Sequence, residues 1–535
     1  MKEIKLLVEK YLSRLLLLIT TCISIIATAY FYFHGMENLS NYDAIARLDL
    51  ARKMIDSITP GIGQLGAIWL PFPQIFTIPF IWNDFLWHSG LAGAIISGIA
   101  FIVGAFYLQK TAFLITSSRK ASLLVWLIFV ININILLFQS MAMSESFFLF
   151  CIIMTIYFLT KWMQDKKIVS YLAAAFFVMM GTLTRYEGYF IFIGAGLTVF
   201  IRLFNLHWKK KNFAEIEGMV LLFLTIAVYG IFLWCLYSFI FFKDPLYWLH
   251  LYSGNGASGS LVTPQAVRHP LWESFISYSQ IAIWMNGILT SLLGVGGFVI
   301  LLILILQKMK TREKISVYLP LLVITFVLFP LLIFGYEKGY IPHVTFEAIT
   351  LQHIFSKKFN VYPGGVEDAP NIRYGIIMVP FVSLFVGILA ARARLLMYIS
   401  LFFICFQFYT IFNTSLLLEF SIPRAARFTL VPAAIWFKSY YTNGLIFVSD
   451  NTNEDFMFET GLSYNHYIYE GTRQYWKTSL NNPSRYADWV VYQTKITGDL
   501  VYHLMSPSGF SILERKYQLV YSDNKGYKIY HRISF

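Results

Sequence analysis

The sequence predicts an α-helical polytopic membrane protein with a small extracytoplasmic α/β domain at its C-terminal end. Of its 535 residues 57% are hydrophobic and 13% charged, with a mean hydropathy of +0.60. Soluble domains hold roughly 45–50% apolar and about 25% charged residues, so a wholly soluble chain is excluded. The apolar residues gather into long runs of Leu, Ile and Phe, the mark of repeated membrane crossing. Beyond residue 440 the runs stop and short alternating segments take over. Cys22, Cys151, Cys235 and Cys405 all fall in apolar runs, which leaves no disulfide framework and no zinc spacing.

Apolar runs near 12–34, 90–109, 121–139, 146–162, 169–183, 188–204, 218–242, 280–306, 315–336, 374–390 and 395–412 give about eleven spans. The fifth and sixth are short, and Thr184–Gly188 breaks them apart. A helix of ~15 residues covers about 22 Å, so this pair is expected to pack obliquely or re-enter, buried by protein. Basic residues collect on one side of these spans: Lys2, Lys5, Lys10 and Arg14, then Lys110 and Lys120, Lys166 and Lys167, Lys209 to Lys211, Lys308 to Lys314, and Arg392 and Arg394. The positive-inside rule then sets the N-terminus in the cytosol and the C-terminal domain outside; the expected location is the plasma membrane of a prokaryotic cell. Ala27-Thr28-Ala29 has the look of a cleavage site, but the apolar stretch runs on through Phe33, so an uncleaved first span is expected.

Three external segments are large: 35–89, 243–279 and 337–373. The expected organisation is a transmembrane catalytic domain over 1–412, an interfacial amphipathic helix over 413–438, and an accessory α/β domain over 439–535. Leu445–Ser449, Trp489–Tyr492 and Leu519–Tyr521 read as its strands. Its charge is near neutral, so nucleic acid is not an expected partner.

A transporter would carry ionisable groups deep in its spans. Here carboxylates and arginines gather at the span ends, which favours a reaction site at the outer membrane face. Asp43 stands at the head of an amphipathic helix expected over 41–57; Ser40 and Asp43 also have capping-box spacing, and Asp43–Arg47, Asp49–Lys53 and Arg52–Asp56 are ordinary i,i+4 pairs. Glu145, in the short turn before the fourth span, is either a helix cap or a site carboxylate. Arg185 and Glu187 lie inside an apolar hairpin and need each other or an anionic ligand. Arg373 and Tyr374 open the tenth span, where an arginine binds phosphate or anchors the helix among headgroups. The Gly61–Gly66 match to GxGxxG follows no strand and is set aside. Asn38-Leu39-Ser40 and Asn413-Thr414-Ser415 are glycosylation sequons.

Taken in order, these segments resemble the GT-C superfamily of membrane glycosyltransferases that use polyprenyl-phosphate sugars. The nearest likeness is to the branch (glycosyltransferase family 39-like) with protein O-mannosyltransferases and lipid A aminoarabinose transferases. Tyr42–Arg52 resembles the family's first external loop, where an acidic residue opening an amphipathic helix serves as catalytic base. Trp69-Leu70-Pro71-Phe72-Pro73 resembles the proline-containing segment later in that loop. Met143-Ser144-Glu145 looks like the acidic motif before the fourth span, and Leu183-Thr184-Arg185 and Arg373-Tyr374 resemble the family's "LTR" and "RY" elements. The likeness covers about residues 10–410, with two departures. Ala44 stands where the family often has a second acidic residue, and the WWDYG motif of oligosaccharyltransferases is absent.

The resemblance implies a hexosyl- or mannosyltransferase-like enzyme working with inversion. Asp43 would be the base, and Glu145, Arg185, Glu187, Arg373, Tyr374 and Trp69 would bind substrate. The donor would be a polyprenyl-phosphate-linked sugar drawn from membrane lipid, and the acceptor a protein, lipid or glycan hydroxyl. The resemblance leaves room for a divalent metal ion, for which the sequence offers no complete ligand set. The rival readings are a transporter or flippase for lipid-linked sugars and a non-catalytic envelope-glycan-binding protein.

Overall fold

The longest helices follow the longest apolar runs. The computed structural model describes residues 2–207, 212–252, 268–308, 316–339, 369–413, 431–496 and 498–533. Eight helices among them are long and apolar enough to cross a membrane: Tyr11–Phe33, Leu91–Thr116, Ser144–Asp165, Gly188–Leu206, Phe213–Phe242, Ile288–Gln307, Leu319–Glu337 and Arg373–Ala390. The protein is therefore mostly helical and multi-pass in character, with one small sheet.

The described residues form two compact units. The first comprises 1–34, 94–234 and 266–426, and holds most of the apolar helices. At its centre lie Ser144–Asp165 and Arg373–Ala390, each buried over 83% of its most apolar window, against 22% for Tyr11–Phe33 and Phe213–Phe242. The Ser144–Asp165 helix packs against Ile168–Thr182, and Val379–Ala390 against Ile288–Lys308.

Two expected spans are broken, for identifiable reasons. The run expected over 280–306 splits at Gly287, whose φ of +79° ends Leu271–Asn286 before Ile288–Lys308 begins. The side-chain amide of Gln407 fills the gap, donating to the Asn286 carbonyl at 3.0 Å and accepting from the Thr290 N–H at 3.2 Å. Backbone groups freed in an apolar setting must find partners, and one glutamine here supplies both kinds. The run expected over 121–139 ends its helix at Val130 and restarts as Ile133–Phe138. Asn132 caps the restart, accepting from the Asn134 and Ile135 N–H groups at 3.0 and 3.1 Å. The expected 169–183 and 395–412 runs are the helices Ile168–Thr182 and Arg394–Asn413.

The second unit comprises 35–93, 235–265 and 427–535, so the first external loop and the C-terminal segment fold together. Its sheet runs β2-β1-β3-β5-β4, with β1 Ile446–Val448, β2 Tyr467–Ile468, β3 Trp489–Gln493, β4 Tyr517–Ser522 and β5 Tyr527–Arg532. β1 is parallel to β2 and β3, and β5 is antiparallel to β3 and β4. The expected strands are β1, β3 and β4. Most of the interfacial helix expected over 413–438 lies outside the described residues; within it, Pro432–Tyr440 is helical.

Charge is buried where these segments meet. Helix Tyr42–Lys53 packs on Phe72–Ile81 and on Asp450–Thr460, and both Asp49 and Lys53 on it are at most 1% exposed. Lys53 forms an ion pair with Asp450, and Trp87 donates to Asp49 at 3.3 Å. Asp56 accepts from Ser463 and Asn465, and Gln64 accepts from the Tyr469 hydroxyl at 2.8 Å. The expected Asp49–Lys53 surface pair is thus an interior feature. Its lysine reaches past its own helix to Asp450.

Burial pushes the Asp49 carboxyl up to about 7, even with Lys53 nearby. Burial, with the Asp450 charge second, pushes Glu470 up to about 7 as well. Between their unfolded values near 4 and pH 7 the folded protein holds protons that the unfolded chain has released. Stability must fall as pH rises through that window, by a few kcal/mol, since about 1.4 kcal/mol attends each shifted unit. Thermal unfolding should give a higher melting temperature at pH 5 than at pH 8, and Asp49→Asn should narrow the difference. A melting temperature that climbs over that range would contradict the assignment.

Candidate functional site

Five of the residues singled out in the sequence come together inside the first unit. The turn between Ile168–Thr182 and the Gly188–His207 helix brings Arg185 back towards the start of Ser144–Asp165. Leu183 closes the first helix, and the Arg185 N–H bonds back to the Gly181 carbonyl at 3.2 Å. Gly188 then passes so close to the Gly181 backbone that a Cβ there would collide with it. The break is therefore written in its glycines.

Arg185 is the hub. Its Nη1 donates to Glu145 Oε1 at 2.7 Å and to Ser144 Oγ at 3.1 Å. Its Nη2 and Nε donate to the two Glu187 oxygens at 2.8 and 3.2 Å, a forked pair of the kind guanidinium and carboxylate planes favour. Glu145 is 2% exposed and Arg185 9%. Arg373 approaches from the start of the Arg373–Ala390 segment, with Nε 3.6 Å from Glu145 Oε1. The Tyr374 ring lies 5.1 Å from the Arg185 guanidinium carbon and 5.8 Å from that of Arg373. Two arginines and two glutamates give the cluster no net charge.

The cap reading of Glu145 does not hold. The N-cap of Ser144–Asp165 is Met143, which makes no side-chain capping bond, while the Ser144 hydroxyl serves Arg185. Glu145 sits in the first helical turn, where the helix dipole favours its charge. Among the described residues no three or more His, Cys, Asp or Glu side chains are placed to hold a metal ion. Glu145 and Glu187 are both committed to the Arg185 guanidinium, so this pair does not fit a divalent cation.

The same helical run that carries Arg373 and Tyr374 leads into an apolar groove. Met378, Val382 and Phe385 line it from one side, and Ile283, Phe298 and Phe329 from others, around about 420 Å³. Charge and hydrocarbon surface thus follow one another along a single helix within the first unit.

Asp43 and Trp69 both lie in the second unit. Asp43 lies half-buried in the first turn of Tyr42–Lys53. The capping residue is Asn41, whose Oδ1 accepts the Asp43 N–H at 3.0 Å, and not Ser40 as the spacing suggested. One turn on, the Arg47 guanidinium stacks 4.5 Å from the centre of the Trp69 ring. Trp69 itself is set by Pro71 and Pro73, which begin the Phe72–Ile81 helix. Sequence reasoning passed over Asn41, although it is a good N-cap type. Arg47 and Ser144 were named only as an i,i+4 partner and a motif neighbour, and nothing local pointed to their contacts with Trp69 and Arg185.

Comparison with known proteins now bears on the class. ArnT from Cupriavidus metallidurans, in its crystal structure bound to undecaprenyl phosphate, matches with a TM-score of 0.54 at 10% identity, over 97% of this chain and 98% of that one. The archaeal oligosaccharyltransferase AglB from Archaeoglobus fulgidus, in complex with an inhibitory peptide and a dolichol-phosphate, matches at a TM-score of 0.47 and 10% identity, over 98% of this chain and 75% of that one. The ArnT likeness shows that the two chains share a fold. The sequence pattern of the family described as dolichyl-phosphate-mannose-protein mannosyltransferase matches residues 93–246, a stretch that holds Glu145, Arg185 and Glu187. No curated protein matches by sequence at a significant level.

The hub makes a plain prediction. Arg185→Met takes the forked partner from Glu187 and leaves Glu145 to Arg373 alone, a loss of the order of 3–5 kcal/mol. Glu187→Gln keeps one acceptor for the guanidinium and should cost clearly less. Thermal unfolding in detergent measures both, and equal melting temperatures for wild type and Arg185→Met would show that the cluster is not held together this way.

Proposed function

We propose that this chain is an integral-membrane glycosyltransferase. It moves a sugar from a polyprenyl-phosphate donor to an acceptor hydroxyl on the outer face of the membrane, with inversion at the anomeric carbon. The observation that carries the reading is the succession along one helix of Arg373, Tyr374 and the apolar groove. An amphiphile with an anionic head and a prenyl tail is the ligand such a surface suits. The fold likeness and the family match over 93–246 support the same class.

In this reading Asp43 accepts the proton of the acceptor hydroxyl as its oxygen attacks the anomeric carbon. The bond from that carbon to the phosphate oxygen breaks on the opposite face, and polyprenyl phosphate leaves with the electron pair. Arg373 meets the growing negative charge on the leaving phosphate, a preorganised electrostatic contribution. Arg185 and Glu187 fix Glu145, which orients the sugar. Trp69 and Arg47 keep the face of the Asp43 helix in one arrangement. No step is routed through a metal ion.

Asp43→Asn separates chemistry from structure. An asparagine cannot take the proton, so turnover should fall roughly 10²-fold or more. The fold and donor binding should survive, because Asn41 remains the cap. Asn41→Ala is the complementary variant: it should cost about 1 kcal/mol of stability and retain most turnover. The measurement is sugar transfer from a short-chain polyprenyl-phosphate sugar in detergent, with unfolding followed in parallel. Unimpaired transfer by Asp43→Asn would remove it as the base, and donor binding without any turnover in wild type would favour the non-catalytic or flippase readings.

A further inference from the structure

A second cavity, of about 450 Å³, lies wholly in the second unit at the carboxyl edge of the parallel strands. Asn451 and Thr452 reach it from the segment after β1, and Gln493 from the last position of β3. Tyr527, paired with Gln493 in the sheet register, closes another side. The strand order places β2 and β3 on opposite flanks of β1. In open α/β sheets the chain diverges at such a point, and the crevice outside the strand ends is where ligands bind. The volume falls within the usual ~300–1,000 Å³ of small-molecule sites.

The lining tells which ligand chemistry fits. A phosphate would sit on the N-terminus of Asp450–Thr460, where free N–H groups usually wait. Here that position is already taken: the Glu470 carboxylate accepts from the Asp450 N–H at 2.8 Å and from the Ser449 hydroxyl at 2.6 Å. Asp450 and Glu454 add further acid nearby. The lining holds one carboxyl, Asp455, one ammonium, Lys525, hydroxyls, and the amides of Asn451 and Gln493, whose nitrogens donate to the Gly498 carbonyl and to Thr452 and Asn453. Burial holds the Asp455 carboxyl above its usual range. The Tyr42 side chain, 43% exposed, offers an aromatic face at the same cavity. Amides and a carboxyl beside an aromatic ring, with balanced charge, suit a neutral polyhydroxylated ring.

We propose that this cavity binds a sugar ring of a glycan acceptor. The inference rests on the transfer reaction proposed above and names its acceptor class. The link is covalent: Tyr42 is the residue before Asp43, so their Cα atoms are about 3.8 Å apart. A ring held at Tyr42 therefore lies on the same helical turn that carries Asp43.

The test uses the full chain in detergent without donor. Methyl glucopyranoside, methyl galactopyranoside and methyl mannopyranoside are titrated by saturation-transfer NMR, with inorganic phosphate as the contrasting probe. At least one glycoside should bind, and Tyr42→Leu should weaken it about tenfold, the effect of one lost polar contact. Lys525→Leu, at an exposed turn position, should weaken it in the same direction, with thermal unfolding of both variants followed in parallel. No binding by any glycoside, glycoside binding unchanged in both variants, or phosphate binding in its place overturns the inference. Because no donor is present, these results are independent of the Asp43 experiment. If the cavity fails to bind sugar while transfer to another hydroxyl persists, the acceptor assignment falls and the reaction stands. If sugar binds while Asp43→Asn transfers normally, the reverse holds.

Discussion

One buried guanidinium sets the terms for the helical unit. Arg185 spends its donors on Glu145, Glu187 and Ser144, and none of these groups has enough water around it to stand alone. A buried charge left unpaired costs several kcal/mol, which is why the geometry of the trio is so constrained. To deliver Arg185, the chain must stop the Ile168–Thr182 helix short and turn through Leu183–Glu187. The shortness of Ile168–Thr182 is thus a consequence of the site, whereas Gly188–His207, expected to be short as well, runs for 20 residues. Glu145 and Arg373 in turn ride on the two most deeply buried of the membrane-type helices described.

The second unit meets the same constraint with the opposite imbalance. A single ammonium, Lys53, faces Asp450, Asp49 and Glu454, and carboxyls there hold their protons longer than usual. The arrangement ties the first external loop to the C-terminal segment through ion pairs and hydrogen bonds that bridge some 400 residues of sequence. Asp43 is therefore carried on a helix fixed at its far end by the tail. The C-terminal segment is a structural requirement of the loop as well as a candidate acceptor platform.

Much of this was legible from residue order. Long runs of Leu, Ile and Phe marked the membrane-type helices, and alternation marked β1, β3 and β4. The charged motifs were conspicuous because ionisable residues are rare among the apolar runs, so Glu145, Arg185, Glu187 and Arg373 could be picked out and are found together. What could not be read is what depends on distant partners. Gly287 looked like one more small residue in an apolar run until Gln407, 120 positions later, made a break there affordable. Lys53 looked like a solvated i,i+4 partner because nothing local reveals Asp450. β2 has two residues, too few for a periodic signal, and β5 mixes Lys, His and Arg into a half-exposed strand.

The central claim is a single in-line displacement at the anomeric carbon of a polyprenyl-phosphate sugar. The stereochemistry of the product tests it most directly. Purified protein, given a donor of defined anomeric configuration and a glycoside acceptor, should yield a linkage of the opposite configuration by NMR, with one polyprenyl phosphate released per bond formed. A product that retains the donor configuration would contradict the account, because retention requires a second displacement that a lone general base does not perform.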